Sequence, residues 1–363
     1  MEFGVFAQGA VPQPLLDRDP GAEHTRLLEN VEMGVFAEAC GFKYVWASEH
    51  HFLREYSHLS CPEVYLSFVA ARTERIHIGS AIMNITANVN HPYRVAERVA
   101  MLDHLSRGRY EFGTGRGSSS TETSGFGIAH PDDSKALWDE SARLITQLWR
   151  EPERNILPEP YTKPHPPMWV AAGSPSTFEK AARHGLGVIC FSFDDPQRLK
   201  PLIARYKEII EDPPEPLGQY VNNNVMCVNQ MVVLEDRNEA FRLASEVGFM
   251  YYHAQVVRWL DSFPRPANFP QWPTVLPEPR PEFFPAIIPS GTLIVGDPDD
   301  AHTALKVWDD LGVDQLVFSP LTTQISLADA QRTMEVFGRE VIPKWDTHPD
   351  IHRTTLQRQD AYR

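Results

Sequence analysis

Lys43-Tyr44-Val45-Trp46-Ala47-Ser48-Glu49-His50-His51-Phe52 is an apolar run that turns polar at one end. Residues 43–48 are short and rich in aromatic and β-branched side chains, as a strand buried on both faces is. Before them, residues 25–40 repeat apolar positions at helical spacing and stop at Gly41, a residue suited to end a helix. After them, residues 62–72 open with Pro62, which fits the first turn of a helix. Helix, strand, helix, with the strand buried on both faces, is the unit of a parallel sheet.

The same alternation runs through the chain. Strand-like runs fall at 3–8, 43–48, 76–83, 109–114, 168–172, 187–192, 224–234 and 315–319. Helical patterns fall at 91–106, 132–149, 176–184, 196–211, 238–260, 298–311 and 327–341. Eight such units predict an α/β fold, a closed (β/α)8 TIM barrel; an open doubly wound sheet is the alternative. Residues 1–363 read as one domain. Residues 262–291, rich in proline and in Phe263, Phe269, Trp272, Phe283 and Phe284, read as a lid insertion before the last strand. Residues 346–363 read as a C-terminal tail.

Bulk properties exclude several classes. With 363 residues and 42% hydrophobic content the chain can bury a large core, and its net charge of −14 repels nucleic acid. Cys40, Cys61, Cys190 and Cys227 form no CxxC pair, so reduced thiols are expected. No signal-like start and no apolar run near the ~18 residues of a membrane span is present. A soluble cytoplasmic protein, without membrane or nucleic-acid partners, is the expectation.

Barrel enzymes carry their chemistry at the carboxyl ends of the strands. At the second strand, neighbouring side chains of Glu49-His50-His51 point to opposite sides, so Glu49 and His51 share one side and His50 faces the other. Adjacent histidines are then poor joint ligands, and no metal site is expected. His50 or His51 either meets a backbone group or serves as acid, base or donor. At the fourth strand, Gly113-Thr114-Gly115-Arg116-Gly117-Ser118-Ser119-Ser120 sets an arginine among glycines, a pattern for phosphate or carboxylate recognition. A dinucleotide fingerprint fits poorly, because no helix begins at once.

At the fifth strand, Gly173-Ser174-Pro175-Ser176-Thr177 leads into a helix, whose free N–H groups and hydroxyls suit an anion; ordinary capping by Ser174 or Ser176 is the alternative. At the third strand, Ser80, Ala81 and Ile82 are small enough at the rim for a flat ring to lie close, or merely fit a crowded barrel.

In order and at barrel spacing, Cys40-Gly41-Phe42, Trp46 to Phe52, residues 102–117 and Ala172 to Thr177 carry a resemblance. The chain resembles the bacterial-luciferase-like flavin-dependent monooxygenases over most of its length. The resemblance implies a usually dimeric barrel that takes reduced FMN from a separate flavin reductase. Oxygen adds to the flavin, and the resulting flavin hydroperoxide attacks an organic substrate. It implies that His50 is the catalytic histidine and that Glu49 is an acidic residue near the flavin. Ala81 and Ile82 match small residues near the ring. Arg116, Ser174 and Thr177 match phosphate contacts, with Gly173 and Ser176 in the same loop and Lys135 as a second basic ligand. Residues 262–291 match a mobile lid.

The chain departs from luciferase at Gly115, where luciferase has a reactive cysteine, and at Ser118, Ser119 and Gly173; its loop 84–90 also reads as longer. These departures separate its substrate from luciferase's aldehyde. The aromatics Tyr251, Tyr252 and Trp259, with those of the lid, suggest a largely apolar substrate; plain core packing is the alternative. Two other readings stand beside this one: a deazaflavin-dependent hydride transfer on the same fold, and a non-catalytic flavin-binding protein.

Overall fold

A computed structural model describes residues 1–192, 195–262, 269–322 and 324–351. The eight barrel strands are β1 (Glu2–Ala7), β2 (Tyr44–Ala47), β3 (His77–Ser80), β4 (Tyr110–Gly115), β5 (Met168–Ala171), β6 (Gly187–Phe191), β7 (Val225–Asn229) and β8 (Gln315–Phe318). Each pairs with its successor in parallel, and β8 pairs back to β1, with Val5 opposite Phe318. The sheet is therefore closed, and the open-sheet alternative is excluded. No described helix is long and apolar enough to cross a membrane.

Alternation sorts the strand residues into two cores. Phe6, Trp46, Trp169, Ile189, Met226, Val228 and Val317 fill the barrel interior. Phe3, Val5, Val45, Phe112 and Leu316 point outward and pack under the helices. The interior is tightly filled where Gly113 faces β3, since a Cβ there would lie 1.9 Å from the Ser80 carbonyl oxygen. Backbone cannot yield as a side-chain tip does. Gly113→Ala is therefore expected to destabilise the fold by about 3 kcal/mol. A urea midpoint equal to wild type would refute this.

Three sequence expectations need correction in detail. The run 76–83 stops at Ser80, where the chain turns through a cis peptide between Ala81 and Ile82, then pairs again as Met83–Asn84. The run 224–234 divides; Met231–Val233 leaves the barrel and pairs with Ile294–Gly296, a short strand the sequence reading did not find. The helix at 238–260 is two helices, Arg237–Glu246 and Phe249–Trp259, because Gly248 between them is left-handed at φ 86°.

The insertion is anchored where it is described. Glu278 accepts from the Met250 and Tyr251 amides, and the Arg258 guanidinium lies between Trp259 and Trp272, 4.3 and 4.7 Å from their rings. Phe284 is fully buried against Phe241. Phe263 falls outside the described residues, as do residues 352–363 of the expected tail. The described start of that tail lies against the amino-terminal ends of the strands. There Lys43 Nζ donates to Asp346, to the His348 carbonyl and to the Asp350 carbonyl.

One buried histidine makes stability depend on pH. His165 Nδ1 donates to the Pro166 carbonyl and Nε2 accepts from the Gln219 amide, so the folded ring is neutral. Burial lowers its pKa. The unfolded chain therefore binds this proton first on acidification. The contribution is complete above the unfolded value of about 6.5 and is lost as pH falls through the folded one. His165→Gln is expected to flatten the fall in unfolding free energy between pH 7.5 and 5.5. An unchanged slope would remove His165 as its source.

Candidate active site

The carboxyl ends of the strands gather the candidate residues on one mouth of the barrel. Beyond β2, the alternation expected from the sequence holds. His51 Nε2 lies 3.1 Å from Glu49 Oε1, while His50 turns the other way. His50 Nδ1 lies 3.1 Å from Glu122 Oε1, and the ring sits edge-on to Tyr56 at 5.0 Å. Glu122 also accepts from the His51 amide at 2.9 Å. With the carboxylate accepting, the ring proton stands on Nδ1 and Nε2 carries the free lone pair. Glu122 is 2% exposed, and its Oε2 has no hydrogen-bond partner among the described residues.

The sequence reading missed Glu122. It lies on a short helix, Ser120–Gly125, that Ser119 begins by accepting from the Thr121 amide. The available signal was a lone acidic residue in a stretch of glycine, serine and threonine directly after β4.

Glu49 is buried and accepts from the Asn84 amide and the Asn90 side chain. Burial, opposed by His51 and the Asn84 amide, pushes its carboxyl above the usual range. Its bonds hold the segment just beyond the cis peptide, so it braces that wall.

Ala81 is tied to β2 through its amide and the Ala47 carbonyl at 2.7 Å. Ile82 extends over β4, where a Cβ on Gly115 would come 2.5 Å from Ile82 Cγ1. The glycine that departs from luciferase is thus the space that Ile82 occupies. Together they place apolar surface at the mouth.

Arg116 follows directly. Its Nη1 donates to Ser134 Oγ at 2.7 Å, beside the start of helix Asp133–Arg150. Burial lowers its pKa and Asp132 opposes this, leaving a guanidinium that stays charged. Lys135 is on the same first turn, with its ammonium 2.7 Å from Asp132 and its side chain 59% exposed. On the neighbouring strand, Thr114 stands opposite Val170, so Arg116 and Ser174 leave adjacent strand ends.

Ser174 and Thr177 form a capping box at helix Pro175–Arg183, and Ser174 Oγ lies 2.9 Å from Thr177 Oγ1 and 3.1 Å from Ser176 Oγ. Capping is therefore one established role of these hydroxyls. Ser176 and Gly173 are exposed, so the loop still faces outward. His50, Ala81–Ile82, Arg116 and the Ser174 loop thus follow the ends of four consecutive strands, β2 to β5.

A small cleft of about 20 Å³ opens between the ends of β6 and β7, lined by Phe191, Val228, Leu293, Asn229, Tyr252 and His253, among others. Tyr252 stacks on Tyr56 at 6.0 Å, and Tyr56 touches His50, so the cleft adjoins the histidine. Of the three aromatics singled out from the sequence, only Tyr252 lines it. Tyr251 bonds Glu55 and Trp259 bonds the Arg54 carbonyl. Burial brings the His253 imidazole down to about 4, so it is neutral near pH 7.

A closed parallel barrel with histidines, carboxylates, a guanidinium and a capped helix start at the carboxyl ends of its strands has the layout of a barrel enzyme. The luciferase-like monooxygenase family model matches residues 1–315, and the chain belongs to that family. It is 30% identical over 248 residues to the alkanal monooxygenase alpha chain of Photorhabdus luminescens, an alignment covering 65% of this chain and 64% of that one. It is 26% identical to the F420-dependent glucose-6-phosphate dehydrogenase of Amycolatopsis mediterranei, over 86% of this chain and 93% of that one. A solved type II Baeyer–Villiger monooxygenase of Pseudomonas putida, in complex with FMN, superposes with a TM-score of 0.71 at 17% identity, covering 95% and 98% of the two chains. At that identity the likeness shows the shared fold. Its relatives thus include one named for F420, and the structures that share its fold include one solved with FMN.

Proposed function

We propose that this protein is a two-component monooxygenase that uses reduced FMN and O2 to oxygenate a small organic substrate. A separate flavin reductase would supply the reduced flavin, and the working form would be a cytoplasmic homodimer. The observation that carries the cofactor reading is Arg116, a half-buried cation at the start of one helix and on the strand beside the capped start of another. Such a cradle suits a phosphate monoester. The apolar surface of Ile82 over Gly115 suits a planar ring. The residues present therefore fit a phosphorylated flavin.

Bound there, reduced flavin supplies the two electrons that let one oxygen atom enter the substrate and the other leave as water. The chain's own part is binding, shielding and proton handling. Arg116, Lys135 and the N–H groups and hydroxyls of Ser174, Ser176 and Thr177 hold the phosphate, and Gly173 keeps that loop open to it. Ala81 and Ile82 support the ring, and Glu49 braces the segment behind them. His50 holds or delivers a proton at Nε2, while Glu122 fixes the ring through Nδ1. The insertion at 262–291 acts as a lid that keeps water out.

The test is anaerobic mixing with reduced FMN, followed by oxygen, with absorbance read by stopped flow. An oxygenated flavin species that decays faster when substrate is added supports the proposal. Tight binding of the deazaflavin F420, without any reaction of oxygen at the bound flavin, would sink it and favour hydride transfer.

A further inference from the structure

His50 is held from two directions, and both holds lead to the end of one helix. The Phe249–Trp259 helix stacks Tyr252 on Tyr56, whose ring meets the edge of His50. Tyr252, Val256 and Leu260 form one buried cluster with Leu53 and Tyr56. Trp259 Nε1 donates to the Arg54 carbonyl. The end of this helix is thereby fixed against the segment that follows His50 in the chain.

The second hold is Glu122. Its helix, Ser120–Gly125, has six residues, too few to persist on helical hydrogen bonds alone. Its place is therefore set by what grips it from outside. Beyond its end, Phe126 packs on His51 and Phe52, with ring centres 4.8 and 5.3 Å away, and a Cβ on Gly125 would come 2.4 Å from the Phe52 ring. At its start the grip is Asp261. One carboxylate oxygen accepts from the Ser120 amide at 2.8 Å, and the other accepts from the Ser120 hydroxyl. The Ser262 amide adds a bond to the Ser118 carbonyl at 3.2 Å. The first amide of a helix has no partner within it, and a carboxylate suits it as acceptor. Asp261 directly follows Leu260, a member of the buried cluster, so its backbone is anchored. Two residues beyond Ser120, Glu122 Oε1 meets His50 Nδ1 and the His51 amide.

We infer that Asp261 is a positioning residue for His50, acting through Ser120 and Glu122. It holds the short helix where Glu122 Oε1 can accept from Nδ1, and that bond keeps the ring proton on Nδ1 and the lone pair on Nε2. The insertion expected at 262–291 thus begins beside the residue that sets the histidine's orientation. The inference rests on the monooxygenase reading only for its consequence in product, because the tautomer is a property of the chain alone.

The test reads the His50 tautomer by proton–nitrogen correlation NMR of the full chain labelled at histidine. The pH is about 8.5, roughly two units above the ordinary histidine value. The His50 signal is assigned by its loss in His50→Gln. The wild type is expected to show the proton on Nδ1, and Asp261→Ala a mixture of both tautomers. Asp261→Asn should restore the wild-type signal, since its amide oxygen can still accept from the Ser120 amide and its NH2 can donate to the hydroxyl. With reduced FMN and oxygen, product per flavin should fall about threefold in Asp261→Ala, the worth of one helix-start bond, and stay within about twofold in Asp261→Asn. His165 also carries its proton on Nδ1, donated to the Pro166 carbonyl, and its unmoved signal reports an intact fold. A wild-type tautomer in Asp261→Ala overturns the inference. Equal mixtures in the alanine and asparagine variants overturn it too, because the acceptor would then not be what matters. Movement of His165 together with His50 would make the effect one of fold and would likewise overturn it. A wild type that forms no product with FMN, alongside a tautomer lost in Asp261→Ala and restored in Asp261→Asn, would support the positioning role and sink the monooxygenase reading.

Discussion

Arg116→Ala is expected to weaken FMN binding about a hundredfold and riboflavin binding less than threefold. The two ligands share the ring and the ribityl chain and differ in the phosphate. A charge-assisted bond to phosphate is worth roughly 1.5–3 kcal/mol, and every 1.4 kcal/mol is a factor of ten. The loss should fall on FMN alone if the guanidinium meets only the phosphate. Alanine leaves Ser134 without a donor, but that hydroxyl still donates to the Pro131 carbonyl. The helix start should therefore survive, and the urea midpoint should change little. Fluorescence quenching titrations with both flavins provide the check. An equal loss for FMN and riboflavin would show that Arg116 supports the pocket's shape and does not read the phosphate. Lys135→Ala should give the same selectivity at a few-fold, since its ammonium is exposed and already engaged by Asp132.

The barrel was legible because the evidence for it is repetitive. Each strand is a short apolar run, each helix an amphipathic one, and the pattern recurs around the closed sheet. What was not legible depends on contacts between distant segments. Nothing local marks where the run 76–83 stops, since Met83 is as apolar as Ile78. In the structure it stops at Ser80, and Ile82 packs over Gly115. Likewise the run 224–234 stays apolar after leaving the barrel, because Met231–Val233 finds a second strand more than sixty residues on, at Ile294–Gly296.

The site was legible to the extent that alternation governs it. Period two placed His50 opposite Glu49 and His51, and the structure keeps that division. Helix-start chemistry located Ser174 and Thr177, but could not separate capping from anion binding, since the same hydroxyls serve both. Glu122 escaped because its meaning lies in a partner 72 residues away. A carboxylate in a serine-rich loop looks solvated until the fold buries it.

His50→Ala is expected to lower oxygenated product per flavin turned over by a hundredfold or more, the usual scale of a positioned acid or base. FMN affinity should stay within a few-fold, because the phosphate cradle and the Ile82 wall lie elsewhere on the mouth. Reduced flavin would still react with oxygen, so the missing product should appear as hydrogen peroxide. The retained FMN affinity separates a proton-handling role from a binding role, because unbound reduced flavin also passes its electrons to oxygen and gives hydrogen peroxide.

Glu122 then distinguishes positioning from mere proximity. In Glu122→Gln an amide oxygen can still accept from His50 Nδ1 and from the His51 amide, so most product yield should remain. In Glu122→Leu neither bond can form, and the ring is free to turn against Tyr56 and present the wrong nitrogen. The leucine variant should lose about tenfold or more in yield, and little further when combined with His50→Ala, because the two side chains act as one unit. Equal yields from the glutamine and leucine variants would mean that His50 is oriented by something other than this carboxylate. Additive losses in the double variant would mean that Glu122 acts on its own account.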